Sequence, residues 1–166
     1  FIEFDAEEKG VYIVTVEYER GIYSVTDDGK WVFGEKSYVS GLGYAVKESR
    51  WICGFAKTYV IVGDAKTDFE AAGLEFEIIP ELVRKFRSGE KVRVQLLFRG
   101  KPVRGEVKAR SNAGLAVIPT DEKGMVEVEL SKGVNVISAR YVDELMKIAG
   151  ICDKRNITTT LTIVVE

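Results

Sequence analysis

The residues best suited to chemistry in this chain are acidic, and it has no histidine to assist them. Asp143, Glu144, Cys152 and Asp153 fall within one short stretch. A thiolate with several carboxylates is a donor set for a divalent transition metal, so these four are the candidate metal ligands. The competing reading is a solvated acidic loop that caps a short helix. Asp27-Asp28-Gly29 and Asp121-Glu122 are also acidic. Turn chemistry explains both, because Asp and Gly supply the positive φ that tight hairpins require.

Missing residue types exclude more than the present ones suggest. Without histidine there is no Ser–His or Cys–His couple for nucleophilic catalysis. The commonest general base and the commonest transition-metal ligand are lost with it. No G-x-S-x-G occurs, and Gly41-Leu42-Gly43 lacks the strand–turn–helix setting of a phosphate-cradling loop. A hydrolase working with carboxylates alone needs two of them facing one cleft. None of the 26 acidic residues is marked out by a surrounding aromatic pocket in the sequence. The expectation is a protein that is not an enzyme, with no catalytic residue and no cofactor beyond a divalent metal at the acidic stretch.

At 166 residues, with 46% apolar and 30% charged, the chain suits one packed domain or two small ones. Its net charge is −2, with Lys and Arg interleaved among Glu, which argues against a nucleic-acid partner. No run of about 18 apolar residues is present, so no transmembrane segment is expected. Cys53 and Cys152 stand far apart and form no CxxC. Two separate buried thiols are the simpler reading, and a disulfide in an oxidising compartment is the other. Amides are few (Gln95, Asn112, Asn135 and Asn156) beside many Lys and Glu, a balance that fits a thermophilic source.

Aromatic side chains crowd the first third of the chain: Tyr12, Tyr18, Tyr23, Trp31, Phe33, Tyr38, Tyr44 and Trp51. Core packing accounts for most of them in a short domain. Any exposed subset would form a surface for a sugar or a protein partner.

The elements that position these residues read as strands. Val11 to Tyr18 is β-branched and aromatic on both faces. Ile22–Val25 and Trp31–Phe33 form a hairpin across Asp27-Asp28-Gly29. Residues 34 to 43 read as a loop. Residues 46 to 56 can be drawn as a helix or as a strand, since periodicity fits both. Residues 63 to 73 are polar and small, which suggests a domain junction. Beyond them come short strands at Leu74–Ile79, Lys91–Phe98, Val103–Arg110, Leu115–Ile118, Met125–Leu130, Val134–Tyr141 and Thr158–Val165. A short helix is expected over Asp143–Ala149. Seven strands with regular turn signals are the signature of a β-sandwich. The fold expected is all-β with a minor helix: residues 74–166 form a β-sandwich domain, preceded by a smaller, incomplete β domain over residues 1–73.

GLEFEIIP, GEKVRVQLLFRGKPVRGEVKA, TDEKGMVEVEL, GVNVISARY and TTTLTIVV, in that order, resemble the C-terminal part of the NikM-like family (nickel-uptake substrate-specific region). FAKTYVIVGD is similar to the segment that precedes them there. The x-F-x-G-x-P hairpin and T-D-x-x-G turn also resemble transthyretin-like and Cna-B-type modules, which are Ig-like sandwiches. The resemblance implies an extracytoplasmic protein, periplasmic or on the cell surface and often membrane-tethered. It implies an accessory role in nickel or cobalt uptake, with a membrane transport component or cell-surface partner. The runner-up is a structural adhesion or carbohydrate-contacting module without metal, and the third reading is the carboxylate-dependent hydrolase. Family members often carry histidine in an N-terminal strand, and this chain has none.

Overall fold

β-branched and aromatic residues dominate the chain, and strands dominate the structure. The computed structural model describes residues 5, 6, 8–68 and 70–166. Along the chain run β1 (Gly10–Thr26), β2 (Trp31–Phe33), α1 (Lys36–Gly41), β3 (Val46–Val62), β4 (Thr67–Asp68) and β5 (Phe76–Pro80). There follow β6 (Leu82–Val83), β7 (Lys91–Phe98), β8 (Lys101–Pro102), β9 (Glu106–Ser111) and β10 (Gly114–Pro119). β11 (Met125–Glu129), β12 (Gly133–Asp143) and β13 (Lys154–Val165) complete the chain. Among the described residues the fold is all-β with one small helix, the class the sequence predicts.

Two compact units form, and neither is one consecutive piece of chain. The larger takes Phe1–Val16, Phe55–Ala139 and Thr159–Glu166; the smaller takes Glu17–Gly54 and Arg140–Thr158. The division expected between residues 73 and 74 therefore falls inside the larger unit. Strand length is the reason. β1, β3, β12 and β13 span 11 to 17 residues, against a usual five or six, and each passes from one unit into the other.

The larger unit is a sandwich. One sheet runs β10-β9-β12-β13-β3-β1, and the other runs β11-β7-β5 with β8 added to β7. In β7, Val92, Val94 and Leu96 are buried while Lys91 and Arg93 face water. All five residues of β5 are buried, so both its faces are covered. One of them is Glu77, which forms an ion pair with Lys57 of β3. The two residues are only 2% and 3% exposed. The Ala72 N–H donates to Glu77 at 2.7 Å. The Lys57 ammonium lies 5.2 Å from the centre of the Tyr59 ring. Burial pulls the Lys57 pKa down, and the hydrogen bond and charge of Glu77 only partly oppose it.

One open choice is settled and two local expectations give way. Residues 46–56 are strand throughout, with Ser49, Cys53 and Phe55 among the buried side chains. Gly54 explains part of that choice. A Cβ there would meet the Tyr18 ring and come within 2.9 Å of the Thr158 carbonyl oxygen. The missing side chain at Gly54 is what lets Tyr18 lie across the strand. Residues 36–41, expected as loop, form α1 and bury Val39. Residues 143–149, expected as helix, instead end β12 at Asp143 and turn, with a bridge between Ile148 and Cys152.

Breaking a buried pair on one side leaves an uncompensated charge, whereas removing both charges does not. Lys57→Met is expected to cost about 3–5 kcal/mol. Lys57→Met with Glu77→Leu recovers most of that loss. Urea midpoints of the purified variants check the difference.

Candidate functional site

The smaller unit carries the exposed aromatics. β1 and β2 form the hairpin anticipated from Asp27-Asp28-Gly29, with Gly29 at φ +82°. The turn is pinned locally. The Thr26 N–H donates to the Lys30 carbonyl at 3.0 Å, and its hydroxyl donates to Asp28. Lys30 pairs with Asp28 at 2.6 Å. Hydrogen bonds from Lys30 and Thr26 hold the Asp28 carboxyl down to about 2, so the turn stays charged at neutral pH.

The register places Tyr23 opposite Phe33 and Val25 opposite Trp31. Side chains two apart on a strand share a face, which brings three rings together. Tyr23 meets Phe33 edge-on, with centroids 5.3 Å apart, and tilts against Trp31 at 6.5 Å. On β3 the Arg50 guanidinium lies 5.2 Å from the Trp31 ring centre. Arg50 also donates to Glu48, and Lys154 reaches the second Glu48 oxygen at 2.7 Å. Burial pushes the Glu48 carboxyl up, but the bonds from Lys154 and Arg50 outweigh it and keep the group ionised. Trp31 is 50% exposed and Phe33 66%. The result is a strip of rings bordered by a charged Arg–Glu–Lys network. It can stack against an apolar or C–H-rich face and hydrogen-bond to polar groups beside it.

Buried polar contacts hold this strip in place. The Ser24 and Ser49 hydroxyls lie 2.8 Å apart, and Ser24 donates to the Gly34 carbonyl at 2.9 Å. Asp153 accepts from the Ser49 N–H at 2.9 Å and from Lys36 Nζ at 2.8 and 3.0 Å. α1 is tied to the 150–151 turn by Lys36 N–H to Ile151 and Ser37 N–H to Gly150, at 3.0 and 2.8 Å.

These contacts also show what the four metal-ligand candidates do. Asp153 serves Lys36 and Ser49. Asp143 is buried, lies 3.7 Å from Arg155 and accepts from the Leu145 N–H. Glu144 is exposed and sits 4.0 Å from Lys154. Cys152 is a buried thiol whose pKa burial pushes up. Cys53 is also a buried thiol, and no disulfide joins the two. Among the described residues, no three His, Cys, Asp or Glu side chains converge as a metal shell. Lys36, Lys154 and Arg155 instead pair separately with Asp153, Glu144 and Asp143.

Sequence reasoning flagged the aromatic crowd but not which rings stay outside, and it missed Arg50, Glu48 and Lys154 entirely. The spacing Glu48-x-Arg50 in a strand was the available signal, since it puts opposite charges side by side on one face.

The Asp153 carboxyl sits below its ordinary value. Burial raises it, but hydrogen bonds from Lys36 and Ser49 more than compensate. A depressed carboxylate stabilises the fold above the unfolded value of 3.8, and this contribution disappears as pH falls through the folded value. Amide exchange in α1 is therefore expected to accelerate as pH drops below about 4, after correction for intrinsic rates. Lys36→Met is expected to speed exchange at Val39 about fivefold at pH 7, about 1 kcal/mol.

A family model described as Domain of unknown function (DUF4198) matches residues 1–143. No curated protein and no solved structure matches the chain.

Proposed function

The chain belongs to the DUF4198 family, and from that premise we propose a non-enzymatic, extracytoplasmic β-sandwich module that binds a ligand for a cell-surface or metal-uptake system. The observation that carries it is the exposed pair Trp31 and Phe33 on a hairpin locked by its own turn. Solvent-facing rings on a rigid strand pair lose little conformational freedom on binding, so more of the contact appears as affinity. The extracytoplasmic setting and the link to nickel or cobalt uptake rest on the NikM-like resemblance of the motifs. The transthyretin-like relation rests on the GKP and TDEKG turns.

The ring strip favours the carbohydrate-contacting version of this role. Sugar C–H faces stack on aromatic rings, and the Glu48, Arg50 and Lys154 network supplies donors and acceptors for hydroxyls. In this reading the carboxylates of the 143–153 stretch hold the unit together, and the partner of the transport or surface system meets the opposite side of the ligand.

A glycan array followed by tryptophan fluorescence titration tests the proposal. Trp31→Ala is expected to weaken the best glycan at least tenfold with an unchanged urea midpoint. An empty array would overturn the carbohydrate version. Calorimetric titration with nickel and cobalt tests the metal component, which a flat trace for both would remove.

A further inference from the structure

β10 closes one end of its sheet, with β9 as its only strand neighbour among the described residues. Edge strands usually carry a charge, a bulge or a central proline that discourages further pairing. β10 has none of these between Gly114 and Ile118, and its sole proline, Pro119, is the last residue. Leu115 and Val117 are half exposed on its outer face.

The backbone pattern shows which groups are available. Thr120 N–H donates to the Gly105 carbonyl at 2.9 Å, in the same register that pairs Ala116 with Ala109 and Ile118 with Val107. Antiparallel ladders alternate bonded and non-bonded pairs. The even-numbered residues of β10 therefore bond to β9. The N–H and C=O groups of Leu115 and Val117 point out of the sheet edge. Beneath the strand lies an open cleft of about 440 Å³. Its walls include Ala116, Ile118, Val128, Leu130 and Ile137. Gly114 adds no side chain to the cleft side, and a Cβ there would meet nothing within 4 Å.

We propose that β10 pairs antiparallel with β10 of a second copy of this chain, about a twofold axis at Ala116. Facing residues in an antiparallel pair share a side of the sheet, so the axis must fall on a residue and not between two. Placing it on Ala116 pairs Leu115 with Val117 of the other copy, and every outward N–H and C=O of both residues finds a partner. Placing it on Val117 would set Leu115 against Pro119, which has no N–H, and leave the Leu115 carbonyl unmet. The Ala116 axis also matches sizes. Ile118 of one copy lies opposite Gly114 of the other, over the mouth of the cleft. Leu115 and Val117, exposed in one copy, cover each other across the joined edge. A strand without charge meets itself without like-charge repulsion, which favours a second copy over a charged peptide. The joined edge is short, so the dimer belongs to the weak, concentration-dependent class.

Sedimentation velocity from low micromolar to about 1 mM tests this. The wild type is expected to shift from 18.5 kDa to twice that mass with rising concentration. Val117→Pro removes only an outward N–H and is expected to stay monomeric with an unchanged far-UV spectrum. Ala116→Cys places two thiols across the axis, where facing Cα atoms of a non-bonded pair lie about 4.5 Å apart, within disulfide reach. Mild oxidation is expected to give a covalent dimer with Ala116→Cys and not with Leu115→Cys. A wild type that stays monomeric throughout the range overturns the proposal. So does a dimer that survives Val117→Pro, or cross-linking no better at position 116 than at 115.

Discussion

The larger unit is built around two charges that a β-sandwich core should not contain. Lys57 and Glu77 face each other from opposite sheets, almost without solvent. Each is tolerable only in the presence of the other, because the desolvation cost of an unpaired ion exceeds what nearby dipoles return. Their pairing therefore constrains which residue of β3 can lie over which residue of β5. Apolar neighbours such as Phe76 and Ile78 would accept several offsets, since hydrophobic contact has no direction. The ion pair and the Ala72 N–H accept one. The core derives its strength from apolar burial and its alignment from a polar contact.

The smaller unit follows the same division. Buried Ser24 and Ser49 and the half-buried Asp153 form a polar line that ties the hairpin and α1 to the 150–151 turn. Trp31 and Phe33 stay half exposed or more. A surface that carries large rings without needing them for its core has them available for contact. The acidic residues behave oppositely. Asp143 and Asp153 look available in sequence and are committed in the structure.

Local pattern explains what was legible. The β1–β2 hairpin was readable because Asp-Gly has few other uses between apolar runs. β7 was readable because Lys91 to Leu96 alternate between more exposed and buried, a period that ends only at the buried Leu97. Residues 46–56 were not, since both faces of β3 are largely covered and a strand covered on two sides loses its period. The interleaving of the two units was hidden for a different reason. Nothing local in a strand says how far it continues, and β1 passes Gly21, at φ +84°, without ending. Of the candidate site, the ring types were legible. The ionic partners were not, because Arg50 and Lys154 are separated by about a hundred residues of chain and meet only through Glu48.

Gly54 has a consequence beyond local fit. The Tyr18 ring rests where its side chain would be. β1 and β3 are both 17 residues long, and long strands of similar composition are open to slippage by two residues, which preserves inside and outside. A slip of that size, in one direction or the other, would set Tyr18 over the side chain of Ile52 or Ala56 in place of a glycine. The ring and the gap act as a notch and tooth between the two strands. A single missing side chain thereby makes one alignment of two long strands distinguishable from its nearest competitor while the chain is still folding.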